Sequence, residues 1–155
     1  MLYFAYGSNM NWAQMRERCP SARFVCVAKL KDHHLAFTRR SNRRGCGVAD
    51  AVPDQGHSVW GVVYQIEERD IYRLDQAEGF DPWQKQNAYL REERQVYIDG
   101  NEQMPLTVSI YFAEKQTNPP LPSAEYKQLI VTGAKYWHLP QEYINALEQI
   151  EVALS

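Results

Sequence analysis

The alternation of apolar and polar residues along the chain predicts several strands interrupted by short helices. A mostly apolar segment at residues 2–6 predicts a short buried strand, and residues 58–66 form the most apolar strand candidate. Further strands are predicted at residues 23–31, 34–38, 88–98 and 106–113, the last two joined by a turn at residues 99–101. The pattern predicts about seven strands in all.

Helical spacing of apolar residues predicts three or four helices around these strands. The helices are predicted at residues 11–18, 67–77, 125–133 and 140–154. Ser8 or Asn9 can cap the first helix, Gly79 can end the second, and Ser123 can cap the third. Because the strands cluster in the middle of the chain instead of alternating with helices, we expect an α+β fold, with one domain spanning residues 1–155.

Composition and charge argue against several classes of function. The chain has 155 residues, of which 45% are hydrophobic and 23% charged, and its formal net charge is -2. That charge provides no global field for nucleic acid or an anionic membrane, and no apolar stretch reaches the ~18 residues of a membrane span. Cys19, Cys26 and Cys46 have no paired spacing, which predicts buried or half-buried thiols in a reducing compartment. We therefore expect a cytoplasmic protein.

The strongest local signal for chemistry is the strand–glycine–helix entry from Tyr6 through Gly7 and Ser8 to Asn9. Backbone N–H groups at a helix start are unpaired, and with the positive end of the helix dipole they can hold a carboxylate or phosphate. Gly7 has no Cβ, so a ligand can approach its backbone closely. Most such turns bind nothing, and a plain helix start is the alternative interpretation.

Glu78 is the candidate acid or base. At the last turn of a predicted helix its carboxylate feels the negative end of the helix dipole, and burial among aromatic residues would further disfavour its charged form. Both effects raise the pKa and make the carboxylate a better proton acceptor near neutral pH. The alternative is an exposed glutamate beside a helix-ending glycine.

Four arginines within six positions form a basic segment, namely Arg39, Arg40, Arg43 and Arg44. They could clamp a substrate carboxylate or touch a nucleic-acid backbone, but the patch is isolated and favours a solvated loop. The histidines predict no metal site: His33 and His34 are adjacent, and in a strand they face opposite sides. No serine-nucleophile, zinc-protease or phosphate-loop motif is present.

Four segments, taken together, resemble the gamma-glutamylcyclotransferase family. They are LYFAYGSNM at residues 2–10, VWGVVY at 59–64, LDQAEG at 74–79, and PSAEYK at 122–127 with Gly133 and Ala134 beyond it. They follow the family's order at similar separations, so the resemblance covers nearly the whole chain. It implies a small, partly closed mixed β-barrel flanked by helices, with a ligand cavity at one mouth.

The resemblance also implies a reaction and a set of site residues. The family cyclises a γ-glutamyl group, expels an amine or amino acid and releases 5-oxoproline, with no cofactor. Glu78 matches the family's general base, and Tyr126 matches a tyrosine whose hydroxyl reaches the substrate. The remaining substrate-binding residues are implied to be Tyr3, Phe4, Ala5, Tyr6, Gly7, Ser8 and Asn9.

The chain also departs from the family pattern. Residues 80–88 are longer and more polar than in shorter members and are expected to overhang the cavity. The pair Asn9-Met10 after Gly7-Ser8 is unlike the glutathione-specific branch, so glutathione is not the first expected substrate. The arginines at 39–44 could select an acidic or carboxylate-bearing leaving group. Three hypotheses remain: the enzyme, a non-catalytic γ-glutamyl-ligand sensor with the same pocket, and a nucleic-acid contact through the arginines. The enzyme is favoured; a homodimer is compatible with the sequence.

Overall fold

Five strands close into a barrel around which four helices pack. The computed structural model describes residues 1–154. Its strands are β1 (Leu2–Ala5), β2 (Arg23–Arg40), β3 (Gly47–Gln65), β4 (Tyr89–Ile98) and β5 (Pro105–Ala113). Its helices are α1 (Trp12–Arg18), α2 (Glu68–Ala77), α3 (Ala124–Tyr136) and α4 (Gln141–Glu148), and a 3₁₀ turn covers Ser8–Met10.

The strand order around the barrel is β1-β3-β2-β4-β5. Neighbours pair antiparallel except where β1 meets β5 in parallel at Tyr3 and Ser109, which closes the ring. A closed ring leaves no free edge, and its inward side chains form the core. The sequence-based α+β fold is confirmed, and the barrel is closed where the resemblance implied a partly closed one.

The long hairpin of β2 and β3 accounts for most of the errors in the predicted elements. The two strands predicted at 23–31 and 34–38 are one strand, interrupted by a bulge at Asp32, whose φ is 61°. β3 begins at Gly47 and not at residue 58, although residues 47–57 contain Pro53 and Gly56. Pairing along β2 overrides the low strand propensity of that stretch. The predicted count of about seven strands is therefore too high.

Two helix predictions also need correction. Asn11, and neither Ser8 nor Asn9, caps α1: its side chain accepts a hydrogen bond from the Gln14 amide. The last helix ends at Glu148, short of residue 154. By contrast, Ser123 caps α3 as predicted, and Gly79 follows α2 with a φ of 68°.

Two further sequence predictions concern the burial of the cysteines and the length of the helices. Cys19 and Cys46 are buried and Cys26 is half-buried, in agreement with the sequence prediction, and all three are free thiols. No helix within residues 1–154 is long and apolar enough to cross a membrane.

Candidate active site

A cavity of about 270 Å³ opens at one end of the barrel. The segments that meet there are the ends of β1, β2 and β5, the starts of β3 and β4, and the beginning of α3. The 3₁₀ turn and the last residues of α2 complete the wall. Loops and strand ends at one mouth of a barrel are a common place for a small-molecule site.

The structure brings eight of the nine residues singled out in the sequence to this cavity. They are Tyr3, Phe4, Tyr6, Gly7, Ser8, Asn9, Glu78 and Tyr126. Ala5 is not among the lining residues: it is 1% exposed and pairs with Val62 of β3. Asn9 and Glu78 are 69 positions apart in the sequence. The fold nevertheless brings the turn and Glu78 to the same cavity.

Gly7 lies in a tight space where β1 enters the 3₁₀ turn. A Cβ at this position would lie 3.1 Å from the Ala49 Cβ and 3.4 Å from the Tyr126 hydroxyl, so the backbone approaches both closely. The turn is fixed from behind, since the Tyr64 hydroxyl donates to the Asn9 carbonyl at 2.8 Å. The amides of Ser8 and Asn9 donate to no other group within residues 1–154. They are free to bind an anion in the cavity.

Glu78 lies directly after α2, half-buried in the cavity wall. Its Oε1 accepts a hydrogen bond from Asn9 Nδ2 at 2.9 Å and a longer one from the Tyr3 hydroxyl at 3.5 Å. Burial raises the pKa of the Glu78 carboxyl, and the positive charges of Arg18 and Arg44 only partly oppose that rise. The exposed-glutamate alternative is not what the structure shows.

Asn9 is the centre of the hydrogen-bond network around Glu78. Its Oδ1 accepts from Gln14 Nε2 at 3.0 Å and from Arg18 Nη1 at 2.8 Å. These two donors fix the amide so that its NH₂ group faces Glu78 and the Tyr3 hydroxyl, which lies 3.0 Å from Nδ2. The glutamate is thus held in one orientation while its remaining oxygen stays available.

Five tyrosine hydroxyls around the cavity are held neutral. Burial raises the pKa of Tyr3, Tyr6 and Tyr89 well above the ordinary value, and that of Tyr126 to about 12. Burial also raises the pKa of Tyr111, whose hydroxyl donates to Asp75. The Tyr126 oxygen accepts from the Ala49 amide at 3.0 Å, which leaves its proton to donate into the cavity.

Sequence reasoning missed several of these residues. Arg18, Tyr89 and Tyr111 line the cavity but lie on three separate elements, and Asp75 acts from behind Tyr111. Ten tyrosines in the chain were a signal that some line a pocket, but a single sequence does not tell which ones.

The basic segment is solvent-exposed in part, as the sequence favoured, at Arg40, Asn42 and Arg43. All six residues at 39–44 nevertheless line the cavity, and the Arg44 guanidinium lies 5.0 Å above the Tyr126 ring. Arg44 also donates to Gln14 Oε1 at 2.8 Å, which joins the loop to the Asn9 network. The end of β2 and the turn into β3 hold these arginines over the end of the barrel. Their position depends on the pairing of β2 with β3.

Residues 80–88 do not overhang the cavity as expected. Within this segment only Ala88 lines it, while Trp83 is 94% exposed. Phe80 packs edge-on against Tyr111, with ring centroids 6.5 Å apart, and the Arg91 guanidinium lies over its other side. The segment therefore supports one wall of the site.

The chemical capacity of the cavity follows from these groups. It combines a partly dry carboxylate that can take up a proton, unpaired amides at a turn, and the neutral Tyr126 hydroxyl, whose proton is free to donate. No group of three or more His, Cys, Asp or Glu side chains in residues 1–154 is arranged to hold a metal ion.

Comparison with known proteins gives one consistent family. The sequence profile described as "Gamma-glutamyl cyclotransferase, AIG2-like" matches residues 3–128. The mouse (Mus musculus) gamma-glutamylcyclotransferase is 38% identical over 154 residues, covering 97% of this chain and 78% of the mouse protein. The human (Homo sapiens) gamma-glutamylcyclotransferase is 36% identical over the same length and coverage. A solved structure titled gamma-glutamyl cyclotransferase superposes with a TM-score of 0.89 at 33% identity, covering 100% of this chain and 90% of that one. The chain belongs to the gamma-glutamyl cyclotransferase, AIG2-like family.

Proposed function

We propose that this chain is a gamma-glutamylcyclotransferase, an enzyme that converts a γ-glutamyl compound into 5-oxoproline and a free amine or amino acid. The observation that carries the proposal is the half-buried Glu78 carboxylate, with a raised pKa, in the same small cavity as Ser8 and Asn9, whose amides have no partner within residues 1–154. The curated mouse and human relatives bear the name of this activity.

Substrate binding is assigned to the turn and the tyrosines. The α-carboxylate of the γ-glutamyl group binds the free amides of Ser8 and Asn9, at the positive end of the turn. The Tyr126 hydroxyl donates to a substrate oxygen, because its own oxygen is already engaged by the Ala49 amide. Tyr3 and Tyr6 bound the space in which the glutamyl chain folds.

Glu78 transfers the proton in both halves of the reaction. It takes a proton from the substrate α-ammonium, and the freed nitrogen attacks the γ-carbonyl carbon to form a five-membered ring. The bond from that carbon to the leaving nitrogen then breaks as Glu78 returns this proton to the departing nitrogen, and the second proton that the ring nitrogen loses leaves with the amine as its ammonium form. No water is consumed and no cofactor is required, since nucleophile and electrophile belong to one molecule. Holding the folded conformer contributes several kcal/mol of the barrier reduction.

The location and partners follow from the same proposal. The substrate is a small molecule that fits a cavity of about 270 Å³, and the basic segment serves that cavity and not a nucleic acid. The three free thiols favour a reducing compartment, and we place the protein in the cytoplasm. Binding to an oligonucleotide with a steep salt dependence would contradict the assignment of the arginines.

Release of 5-oxoproline from a panel of γ-glutamyl amino acids and γ-glutamyl amines tests the activity. We expect turnover of at least one panel member, and none of the matched α-glutamyl isomers, whose leaving amine is on the wrong carboxyl group for ring closure. If the panel binds by calorimetry but gives no product, the chain is a γ-glutamyl sensor and the proposed activity is wrong.

A further inference from the structure

The cavity carries far more positive than negative charge. Five arginines line it, namely Arg18, Arg39, Arg40, Arg43 and Arg44, against one carboxylate, Glu78. The whole chain has a net charge of -2, so this excess is local and not a reflection of composition. Guanidinium groups repel one another when they are gathered in one place, and an anionic ligand relieves that repulsion.

Three of the five arginines are engaged by the protein itself. Arg18 donates to Asn9, Arg44 donates to Gln14, and both lower the pKa of Glu78, which places them at the inner end of the cavity. Arg39 donates to the backbone carbonyl of Glu114 at 3.1 Å. None of the three forms an ion pair with a carboxylate within residues 1–154.

Arg40 and Arg43 are different. Both are exposed at the cavity mouth, and their guanidinium groups make no hydrogen bond or ion pair within the described part of the chain. The backbone that carries them is nevertheless ordered by hydrogen bonds. Gly45 N donates to the Ser41 carbonyl at 2.7 Å, and Ser41 N donates to the Cys46 carbonyl at 2.9 Å. The loop thus presents two free cations on a fixed turn.

We propose that Arg40 and Arg43 form a leaving-group subsite that selects γ-glutamyl substrates whose departing amine carries two carboxylates. This inference rests on the proposed function. With the γ-glutamyl end bound near Glu78 and the turn, the departing amine points to the mouth, where these two guanidinium groups lie. Each guanidinium group can pair with one carboxylate through two hydrogen bonds. Two guanidinium groups therefore fit a leaving group with two carboxylates better than a leaving group with one.

Two substrates of nearly equal shape provide the test. In γ-glutamyl-glutamate the leaving group has a second carboxylate, whereas in γ-glutamyl-glutamine a neutral amide replaces it. We expect kcat/KM for release of 5-oxoproline to be at least about 10-fold higher for γ-glutamyl-glutamate, as charge-assisted hydrogen bonds to a carboxylate permit. The double variant Arg40→Gln/Arg43→Gln should bring the ratio close to one.

A matched control separates this subsite from a general effect of charge. The double variant Arg23→Gln/Arg69→Gln removes the same two charges from exposed positions that do not line the cavity, and should keep the wild-type ratio. The wild-type ratio should also fall as salt is raised, since exposed charge pairs are screened. That measurement needs no variant and holds even if the Arg40/Arg43 protein folds poorly.

The outcomes distinguish this inference from the function on which it rests. Equal kcat/KM for both substrates, a ratio that does not respond to salt, or a ratio that the Arg40→Gln/Arg43→Gln variant retains overturns the subsite alone. Release of 5-oxoproline from neither substrate, nor from the wider panel, overturns the activity and the subsite together.

Discussion

At the scale of single residues, the site depends on the protonation of Glu78. Burial raises its pKa, and Asp75 behind the wall adds to the rise, whereas Arg18 opposes it. The opposing charges limit the rise in pKa, and the carboxylate is still a stronger base than a surface glutamate. The sequence identified Glu78 but did not identify Arg18, which lies on α1, because α1 and α2 meet only in the folded chain.

The opposite effects of Asp75 and Arg18 on the pKa of Glu78 predict opposite shifts in the pH dependence of kcat/KM when each is substituted. Ring closure needs ionised Glu78, so activity falls as the pH drops through its pKa. Asp75→Asn removes a charge that raises this pKa, and the acidic limb should move to lower pH. Arg18→Gln removes a charge that lowers the pKa, and the limb should move to higher pH. A shift of both variants in the same direction would contradict the assignment of the acidic limb to Glu78.

At the scale of elements, α3 holds the Ser8–Met10 turn in place. The Trp137 indole N–H, just after α3, donates to the Met10 carbonyl at 3.0 Å. Gly133 lets the helix approach the turn so closely that a Cβ there would lie 2.4 Å from the Met10 carbonyl carbon. Periodicity and the Ser123 cap predicted this helix, but the need for glycine at position 133 comes from a contact over more than a hundred residues.

Gly133→Ala should therefore separate α3 from the turn. In an exposed helix the same change stabilises by up to about 1 kcal/mol, whereas here overpacking should destabilise by roughly 1–3 kcal/mol. Because the Ser8 and Asn9 amides move with the turn, KM for a γ-glutamyl substrate should rise. Chemical denaturation and steady-state kinetics measure both effects.

Thr132→Ala is the control for that variant, since Thr132 is exposed on the same helix. It should change the free energy of unfolding by no more than about 0.5 kcal/mol and leave KM unchanged. A Gly133→Ala protein as stable as the Thr132→Ala protein would show that the close contact does not position the turn.

At the scale of the whole molecule, the barrel brings distant segments to one mouth. The alternation of apolar and polar residues was sufficient to predict the α+β fold class and the β4–β5 hairpin. β4 and β5 are neighbours in the sequence and pair with each other. It failed for the outer half of the β2–β3 hairpin, where partner pairing outweighs proline, glycine and aspartate. For the same reason it favoured solvent for the arginines at 39–44 and did not reveal that they line the cavity, although Arg40 and Arg43 are indeed exposed.

The proposed chemistry rests on the Glu78 carboxylate accepting a proton in that cavity. Glu78→Gln keeps an oxygen that can accept the hydrogen bond from Asn9 but cannot serve as the base. Since the wild-type pKa is raised, ionisation of Glu78 costs stability once the pH exceeds the ordinary carboxyl value near 4.5. The variant should then melt no lower than the wild type at pH 8, with the difference vanishing below pH ~4.

The most direct test is the rate of 5-oxoproline release at saturating γ-glutamyl substrate by Glu78→Gln and wild-type protein. We expect kcat to fall by at least ~10²-fold in the variant, with the calorimetric affinity for the substrate retained. Turnover by the folded variant at the wild-type rate would show that another group moves the proton.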